Sequence, residues 1–299
     1  MKQGRLKKII FSRKTAPYIF ISPFILSFLL FFLYPVISII QMSFQSVLPG
    51  QIEYIGLKNY TKLFNPTFFK AIKNSFLYTV ITLLILIPVP MVLACMINSK
   101  KMVGKTFFKS ALFIPALTSV VVAGTIFRLA FAETAGALAN QIIGFFGHSP
   151  VRWLREASTG FPVLIFLSSW RWIGINLLYF LSGLQSIPLE IYESAELDGA
   201  GTIQKFWHIT RPMLRHITTY VLTITIYGGL SMFTESYMLW SGNKSPNDMG
   251  LTIVGYLYRA GWEQNNMGYG ASVGVFLLVL TLAFNGIQLK ISGRKERDL

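Results

Sequence analysis

Only one short segment of this 299-residue sequence has residue types in the order of a nucleotide-binding motif. Gly104-Lys105-Thr106 matches the end of a phosphate-binding loop, but the full pattern needs a glycine five residues before Gly104, where this chain has Ser99. The three histidines and the single cysteine, Cys95, lack metal-ligand spacing, and the sequence has no nucleophile elbow. The residues therefore give no support for an enzyme or for nucleotide binding.

Polar residues do occur inside two long apolar stretches, where they are costly and usually face the protein interior. In residues 161–184, spacing of i, i+3, i+4 and i+7 places four residues on one helical face: Ser168, Arg171, Trp172 and Ile175. In residues 217–240, similar spacing groups Thr225, Gly228, Gly229, Met232 and Glu235. Since a charge at mid-span costs about 2.5–3.5 kcal/mol on the insertion scale, Arg171 either contacts a solute or has a structural partner such as Glu235.

These stretches belong to a sequence suited to a lipid environment. Hydrophobic residues make up 53% of the chain and charged residues 13%, and the mean hydropathy is +0.53. A run of about 18 or more apolar residues can cross a bilayer as a helix. Six such runs occur: Tyr18–Ile40, Phe76–Ile97, Ala111–Ala132, Phe161–Leu184, Ile217–Trp240 and Ala271–Leu289. The expected fold is an all-α polytopic membrane protein with six transmembrane helices, the first of them retained rather than cleaved as a signal.

The basic excess, a net charge of +15, is explained by membrane topology without a role for nucleic acid. Of the lysines and arginines, 17 fall on the side of both termini and only 8 on the opposite side. Because cytoplasmic loops carry the positive excess, both termini are expected in the cytoplasm. The predicted organisation is a basic cytoplasmic tail (1–17), a six-helix transmembrane domain (18–290) with a distinctive cytoplasmic loop (186–215), and a cytoplasmic C-terminal tail (291–299).

The loop 186–215 is predicted to form two short helices joined by a turn. Ser186 is a candidate cap for the first helix, Asp198-Gly199 supplies a turn, and Thr202 is a candidate cap for the second helix. Pro212 disfavours a helical Arg211 and so predicts a boundary before the next span. A rigid protrusion with exposed apolar residues favours a docking element for a cytoplasmic partner, and the alternative is an amphipathic connector that lies on the bilayer.

This loop resembles the EAA loop of ABC importer permeases, whose pattern reads roughly E-A-A-x-x-D-G-A with an I-x-L-P ending. The matching residues are Glu193-Ser194-Ala195, Asp198-Gly199-Ala200, Phe206, Ile209 and Pro212. Ser194 replaces the central alanine of the family pattern, and Arg211 replaces the leucine before Pro212. Further segments are similar to carbohydrate permeases of the maltose and glycerol-phosphate type: Gly56–Tyr60, Trp170, Gly183–Pro188 and Gly268–Ser272. The resemblance extends along most of the chain.

The resemblance implies a type I importer permease fold in a bacterial cell membrane and a division of labour among subunits. Such a permease pairs with a second, homologous permease, two ATPase subunits bind below, and an extracellular binding protein delivers the solute. ATP and Mg belong to the ATPase, so this chain is expected to be a transport subunit with no cofactor or metal of its own. The residues implied to couple it to the ATPase are Glu193, Ser194, Ala195, Asp198, Gly199, Ala200, Ile209 and Pro212.

The resemblance also implies where the solute passes. Aligned on Trp170 and Phe233, the sugar-contacting positions of the maltose-type permease correspond to Ser168, Arg171, Trp172, Ile175, Thr225, Gly229 and Met232, and spacing adds Glu235. Aromatic rings beside planar hydrogen-bonding groups suit a carbohydrate, and Arg171 suggests an acidic or otherwise charged sugar. The alternatives are that the rings merely pack and that Arg171 pairs with Glu235 or with the partner permease. Glycerol phosphate or a polyamine is an alternative solute, and an ion-driven secondary transporter is an alternative mechanism.

Overall fold

The computed structural model describes residues 12–99 and 101–296, and its side chains are described except at 289 and 291–296. Residues 1–11 of the predicted N-terminal tail, Lys100 and residues 297–299 of the predicted C-terminal tail lie outside this description. The chain divides into two units. The first comprises Met1–Leu63 and Ala260–Phe276, and the second comprises Phe64–Arg259 and Leu277–Leu299.

The first unit begins with a 28-residue apolar helical segment, Ala16–Ser43. It consists of α1 (Ala16–Phe28), a π-helical turn (Leu29–Leu33) and α2 (Tyr34–Ser43). Pro35 lacks a backbone N–H, and in a regular α-helix its ring would clash with the carbonyl four residues earlier. The π turn inserts an extra residue directly before it, with the Tyr34 N–H donating to the Leu29 carbonyl. The proline is thereby accommodated without ending the segment.

A small hairpin follows, which the all-α prediction does not include. Strands β1 (Gln45–Leu48) and β2 (Gln51–Tyr54) pair antiparallel, and α3 (Lys58–Lys62) comes next. Pro49 and Gly50 form the turn, and Gly50 has a φ of +77°. The buried Asn59 amide holds α3 to the junction of α2 and β1 because it donates to the carbonyls of Ser43 at 3.0 Å and Gln45 at 2.9 Å.

The second unit contains most of the remaining helices. Helices α4 (Pro66–Leu86) and α5 (Pro88–Asn98) form one 33-residue apolar segment, and α6 (Lys105–Leu117) is followed by α7 (Val120–Ala130). Then come α8 (Leu138–Phe145), α9 (Ala157–Gln185), α10 (Leu189–Leu197), α11 (Thr202–Lys205), α12 (Arg211–Met213), α13 (Arg215–Leu230), α14 (Thr234–Leu239) and α15 (Ile253–Tyr258). The last helix, α16 (Met267–Glu296), begins in the first unit and ends in the second.

Two of the predicted spans are broken rather than continuous. Helices α6 and α7 meet at an angle of 96°. Helix α13 stops at Leu230, and residues 231–233 separate it from α14. At the second break the freed Met232 carbonyl accepts a hydrogen bond from the Thr252 hydroxyl at 2.7 Å, which is how a broken helix is tolerated at membrane depth.

Among the described residues, four helical segments are long and apolar enough to cross a membrane, or five if α6 and α7 count as one span. The four are Ala16–Ser43, Pro66–Asn98, Ala157–Gln185 and Met267–Gln288. The predicted fifth span, 217–240, does not qualify because it is split into helices of 16 and 6 residues. The mostly helical, multi-pass architecture is confirmed, while the number of six spans stays a prediction.

Helix α9 is the centre of the second unit and packs against α4, α5 and α6. At Gly174 an added β-carbon would lie 2.0 Å from the Leu112 carbonyl oxygen, so the glycine lets the α6 backbone approach closely. The Asn176 amide of α9 donates to the Leu86 carbonyl at 2.9 Å. In a regular helix the N–H four residues later would occupy this carbonyl, but that residue is Pro90. A neighbouring helix therefore satisfies the carbonyl that the proline frees.

Candidate functional site

A cavity of about 320 Å³ opens in the second unit where α13 gives way to α14. Helices α4, α9, α13 and α14 and the break between the last two supply its walls. The lining residues are Tyr78, Thr82, Leu86, Trp172, Asn176, Ile224, Thr225, Tyr227, Gly228, Gly229, Ser231, Met232, Phe233, Thr234 and Glu235. Five of the eight predicted pathway residues are among them: Trp172, Thr225, Gly229, Met232 and Glu235.

The other three predicted pathway residues are not among the lining residues. Ser168 is completely buried, and Arg171 and Ile175 are partly buried on α9. They share a helical face with Trp172, as the spacing predicts, but of these four only Trp172 lines the cavity. A role for Ser168, Arg171 and Ile175 in contacting solute stays a prediction.

Arg171 forms an ion pair with Glu235 across the cavity wall. Its Nη1 lies 2.9 Å from the Glu235 Oε1, and the two side chains are only 15% and 13% exposed. Its Nη2 lies 3.5 Å from the Thr118 carbonyl, at the bend between α6 and α7. The arginine thus joins α9 to α14 and reaches the bend of the other broken span. Of the pair, only Glu235 is a lining residue, and its charge is balanced by the Arg171 guanidinium.

Gly229 lines the cavity and also allows α13 to pack closely against α4. A β-carbon there would lie 2.5 Å from the Thr79 hydroxyl oxygen, so α13 and α4 touch at the glycine. The neighbouring Gly228 faces open space. Within the described residues, no three His, Cys, Asp or Glu side chains gather as metal ligands would.

The sequence analysis missed the contribution of the second apolar stretch. Tyr78 and Thr82 line the cavity from α4, and both are buried. Their spacing of i and i+4 places two polar side chains on one face of an otherwise apolar helix. The signal is present in the sequence, because polar groups inside a span usually face the protein interior and both residues lie in the predicted span 76–97.

The loop 186–215 folds into a hairpin of short helices, called here the coupling hairpin: α10, α11, a π-helical turn (Phe206–Thr210) and α12. Gly199 has a φ of +80°, which favours glycine. The Ala200 N–H donates to the Ala195 carbonyl at 2.8 Å, and the Gly199 N–H donates to the Glu196 carbonyl at 3.0 Å. This is the pattern of a Schellman cap, so the predicted turn at Gly199 is present.

Side-chain contacts hold the two sides of the coupling hairpin together. Lys205 forms an ion pair with Glu196, and the hydroxyls of Tyr192 and Thr210 lie 2.9 Å apart. Between the two sides is a depression of about 320 Å³ lined by Ala195, Asp198, Gly199, Ala200, Gln204, Lys205, His208 and Ile209. Of the predicted coupling residues, this depression brings together Ala195, Asp198, Gly199, Ala200 and Ile209. Glu193 and Ser194 are exposed on α10 outside it, and Pro212 lines another cavity.

Three local predictions for this loop are wrong. The Ser186 hydroxyl donates to the Gly183 carbonyl at 2.7 Å instead of capping a helix, and α10 begins after Pro188. Thr202 is the first helical residue, with Gly201 in the cap position. Arg211 is helical despite Pro212, because its N–H donates to the Phe206 carbonyl and closes a π turn that makes room for the proline. The predicted boundary before the next span is present, at Leu214.

The coupling hairpin exposes large apolar side chains. Leu197 is 91% exposed, Ile203 75% and Trp207 51%. Exposed apolar side chains beside a shallow depression are typical of a surface that binds a protein or membrane partner.

Comparison with known proteins identifies the family. The model of the family described as "Binding-protein-dependent transport system inner membrane component" matches residues 151–297. The arabinooligosaccharides transport system permease protein AraP of Bacillus subtilis (strain 168) is 54% identical over 292 residues, which cover 98% of this chain and 93% of AraP. Because this identity extends over nearly the whole chain, the similarity is not confined to one motif.

Two crystal structures share the fold with a TM-score of 0.85 and 26% identity. One is a bacterial ABC transporter involved in the import of the acidic polysaccharide alginate, covering 97% of this chain and 99% of its own. The other is a bacterial alginate ABC transporter in complex with an alginate pentasaccharide-bound periplasmic protein, covering 97% and 98%. The chain therefore belongs to the family of inner-membrane permease components of binding-protein-dependent ABC transport systems.

Proposed function

We propose that this chain is one of two permease subunits of an ATP-driven importer of neutral oligosaccharides. The observation that carries the proposal is the lining of the cavity at the break between α13 and α14. Rings from Tyr78, Trp172, Tyr227 and Phe233 stand there beside hydroxyl and amide groups. Aromatic rings can stack on sugar rings, and hydroxyls and amides can hydrogen-bond sugar hydroxyls, which is the combination that a carbohydrate site needs.

The charge at this cavity favours a neutral sugar. Glu235 lines the cavity, and Arg171 balances its charge, so the pair offers no unbalanced cation to an acidic sugar. The arabinooligosaccharides in the name of the relative AraP are consistent with this choice. The acidic sugar that Arg171 alone suggested is therefore replaced in this proposal. The Glu235 carboxylate is suited to accept hydrogen bonds from sugar hydroxyls.

The proposed topology has six crossings, with the pairs α6–α7 and α13–α14 each counted as one broken span. Both termini and the coupling hairpin lie in the cytoplasm. The distribution of lysine and arginine, 17 on this side against 8 on the other, supports the orientation. Broken helices at a solute site are common in transporters because freed backbone groups can be satisfied by the protein or used by the solute.

The proposed assembly contains a second homologous permease, two ATPase subunits that hold ATP and Mg, and an extracellular solute-binding protein. The family description supports the binding protein. The coupling hairpin supports the ATPase contact, since it is internally braced and exposes Leu197 and Ile203. A rigid apolar protrusion of this kind can enter a cleft and transmit movement to the membrane helices.

The proposal is tested by transport with the purified complete importer in proteoliposomes. Labelled arabinotriose should enter only when ATP and the sugar-loaded binding protein are both present. A trimer of a uronic acid, glycerol phosphate and a polyamine serve as competing solutes and should neither enter nor stimulate ATP hydrolysis. Uptake of arabinotriose driven by a proton gradient without ATP, or preference for the uronic acid trimer, would contradict the proposal.

A further inference from the structure

A second and larger cavity, of about 690 Å³, lies in the second unit at the other end of α13. It is bounded by the start of α5, by the end of the coupling hairpin and by the first turns of α13. Its lining residues are Ile87, Pro88, Met91, Val92, Phe206, Trp207, Arg211, Pro212, Arg215, Thr218 and Thr219. We propose that this cavity is a second sugar-binding subsite on the exit side of the pathway, an inference that rests on the proposed function.

The two cavities follow one another along the same helices. Leu86 lines the first cavity, and the next residue, Ile87, lines the second. On α13, Thr225 lines the first cavity and Thr218 the second. Seven residues are about two helical turns, so these two threonines share a face about 10 Å apart. The fully buried Val221 lies between them on this face, so in this proposal a sugar passes from the first cavity to the second when the helices part.

The lining of the second cavity shares aromatic rings and threonine hydroxyls with the first and adds two arginines. Trp207 is 51% exposed, and the Arg211 guanidinium lies 4.9 Å from the centre of its ring. Arg215 and the hydroxyls of Thr218 and Thr219 add hydrogen-bonding groups. The residues that α5 contributes are apolar and include Met91. An aromatic ring, planar donors and an apolar wall together fit a sugar, which has polar edges and less polar ring faces.

The geometry also links this subsite to the coupling hairpin. Trp207, Arg211 and Pro212 follow α11 in one nearly continuous helical stretch, Thr202–Met213. A sugar bound here would touch the element that is proposed to contact the ATPase. Any variant of Trp207 must therefore be checked for ATPase attachment separately from sugar binding.

The test is protection of an engineered cysteine in the complete importer. Cys95 is first replaced by alanine, and Thr218→Cys then places a single thiol in the second cavity. Inside-out vesicles are treated with a small, membrane-impermeant thiol reagent with and without arabinotriose. The labelling rate should fall about twofold at the sugar concentration that half-fills the site, and further above it. A cysteine at Ile203, which is 75% exposed on the coupling hairpin and does not line the cavity, is the matched control and should label at an unchanged rate.

Trp207 variants separate sugar binding from structural effects. Trp207→Ala in the Thr218→Cys background should abolish protection, while Trp207→Phe should retain it, with the ATPase subunits co-purifying in both cases. Failure of the Thr218→Cys thiol to label, or equal labelling with and without sugar, would overturn the subsite. So would slowing by anionic phospholipid in the vesicles instead of by sugar, which would assign the cavity to a lipid. Arabinotriose uptake measured in parallel distinguishes the two proposals, because uptake without protection rejects only the subsite, whereas absent uptake rejects the proposed function.

Discussion

Replacing one member of the Arg171–Glu235 pair should destabilise the chain far more than replacing both. Breaking a buried ion pair by removing one partner costs about 3–5 kcal/mol, because the remaining charge is left uncompensated. The two side chains keep 15% and 13% exposure, and the cavity beside Glu235 can admit water. We therefore expect about 2–4 kcal/mol for Arg171→Met, somewhat below the fully buried value.

The double variant Arg171→Met/Glu235→Gln removes both charges and should recover most of the loss, to within about 1 kcal/mol of the wild type. The free energy of unfolding is measured by denaturant titration of the detergent-solubilised protein, followed by tryptophan fluorescence. Arg155→Met is the control, because it breaks an ion pair with Glu133 whose side chains are 64% and 38% exposed, and it should change nothing measurable. Single-variant losses that simply add in the double variant would refute the pairing.

Two glycines give further tests, each with a neighbouring glycine as its control. Gly199→Val forces a branched side chain into positive φ at a cost of about 1–2 kcal/mol. This variant should therefore reduce the rate of ATP hydrolysis that the sugar-loaded binding protein stimulates. Gly201→Ala should leave that rate unchanged. Gly229→Ala places a β-carbon 2.5 Å from the Thr79 hydroxyl oxygen, and it should lower the apparent melting temperature through overpacking worth about 1–3 kcal/mol. Gly228→Ala meets open space and should not lower it; equal melting temperatures for the two variants would contradict the packing argument.

Apolar run length was sufficient to predict the long helices, but it could not predict where two of them break. No proline or glycine occupies positions 231–233, yet these residues form the break between α13 and α14. The break depends on distant residues, since Thr252 satisfies the freed Met232 carbonyl and Arg171 holds Glu235 at the start of α14. Such partners are visible only once the fold brings them together.

The prediction that Pro212 disfavours a helical Arg211 was wrong for a related reason. The rule that proline disfavours a helical residue before it assumes a regular α-helix. At Pro35 and again at Pro212, a π turn precedes the proline and lets the helix continue. By contrast, Gly199 was predictable because its requirement, a positive φ in a tight turn, is local. The β1–β2 hairpin was missed although Pro49 and Gly50 give a recognisable turn signal between two short strands.

For the candidate site, the sequence predicted which residues share a helical face but not which of them reach the cavity. Helical spacing placed Ser168 and Trp172 on one face of α9, which is confirmed, but only Trp172 reaches the cavity. Whether a residue on the correct face lines a cavity depends on how closely the neighbouring helices pack, which helical spacing alone does not show.

The most direct test of the pathway is a cryo-EM structure of the complete importer trapped with arabinotriose, the binding protein and an ATP analogue. We predict sugar density in the cavity between α13 and α14, within contact distance of the Trp172 ring and the Glu235 carboxylate. Sugar enclosed elsewhere in the membrane region, with this cavity filled by side chains or lipid, would contradict it.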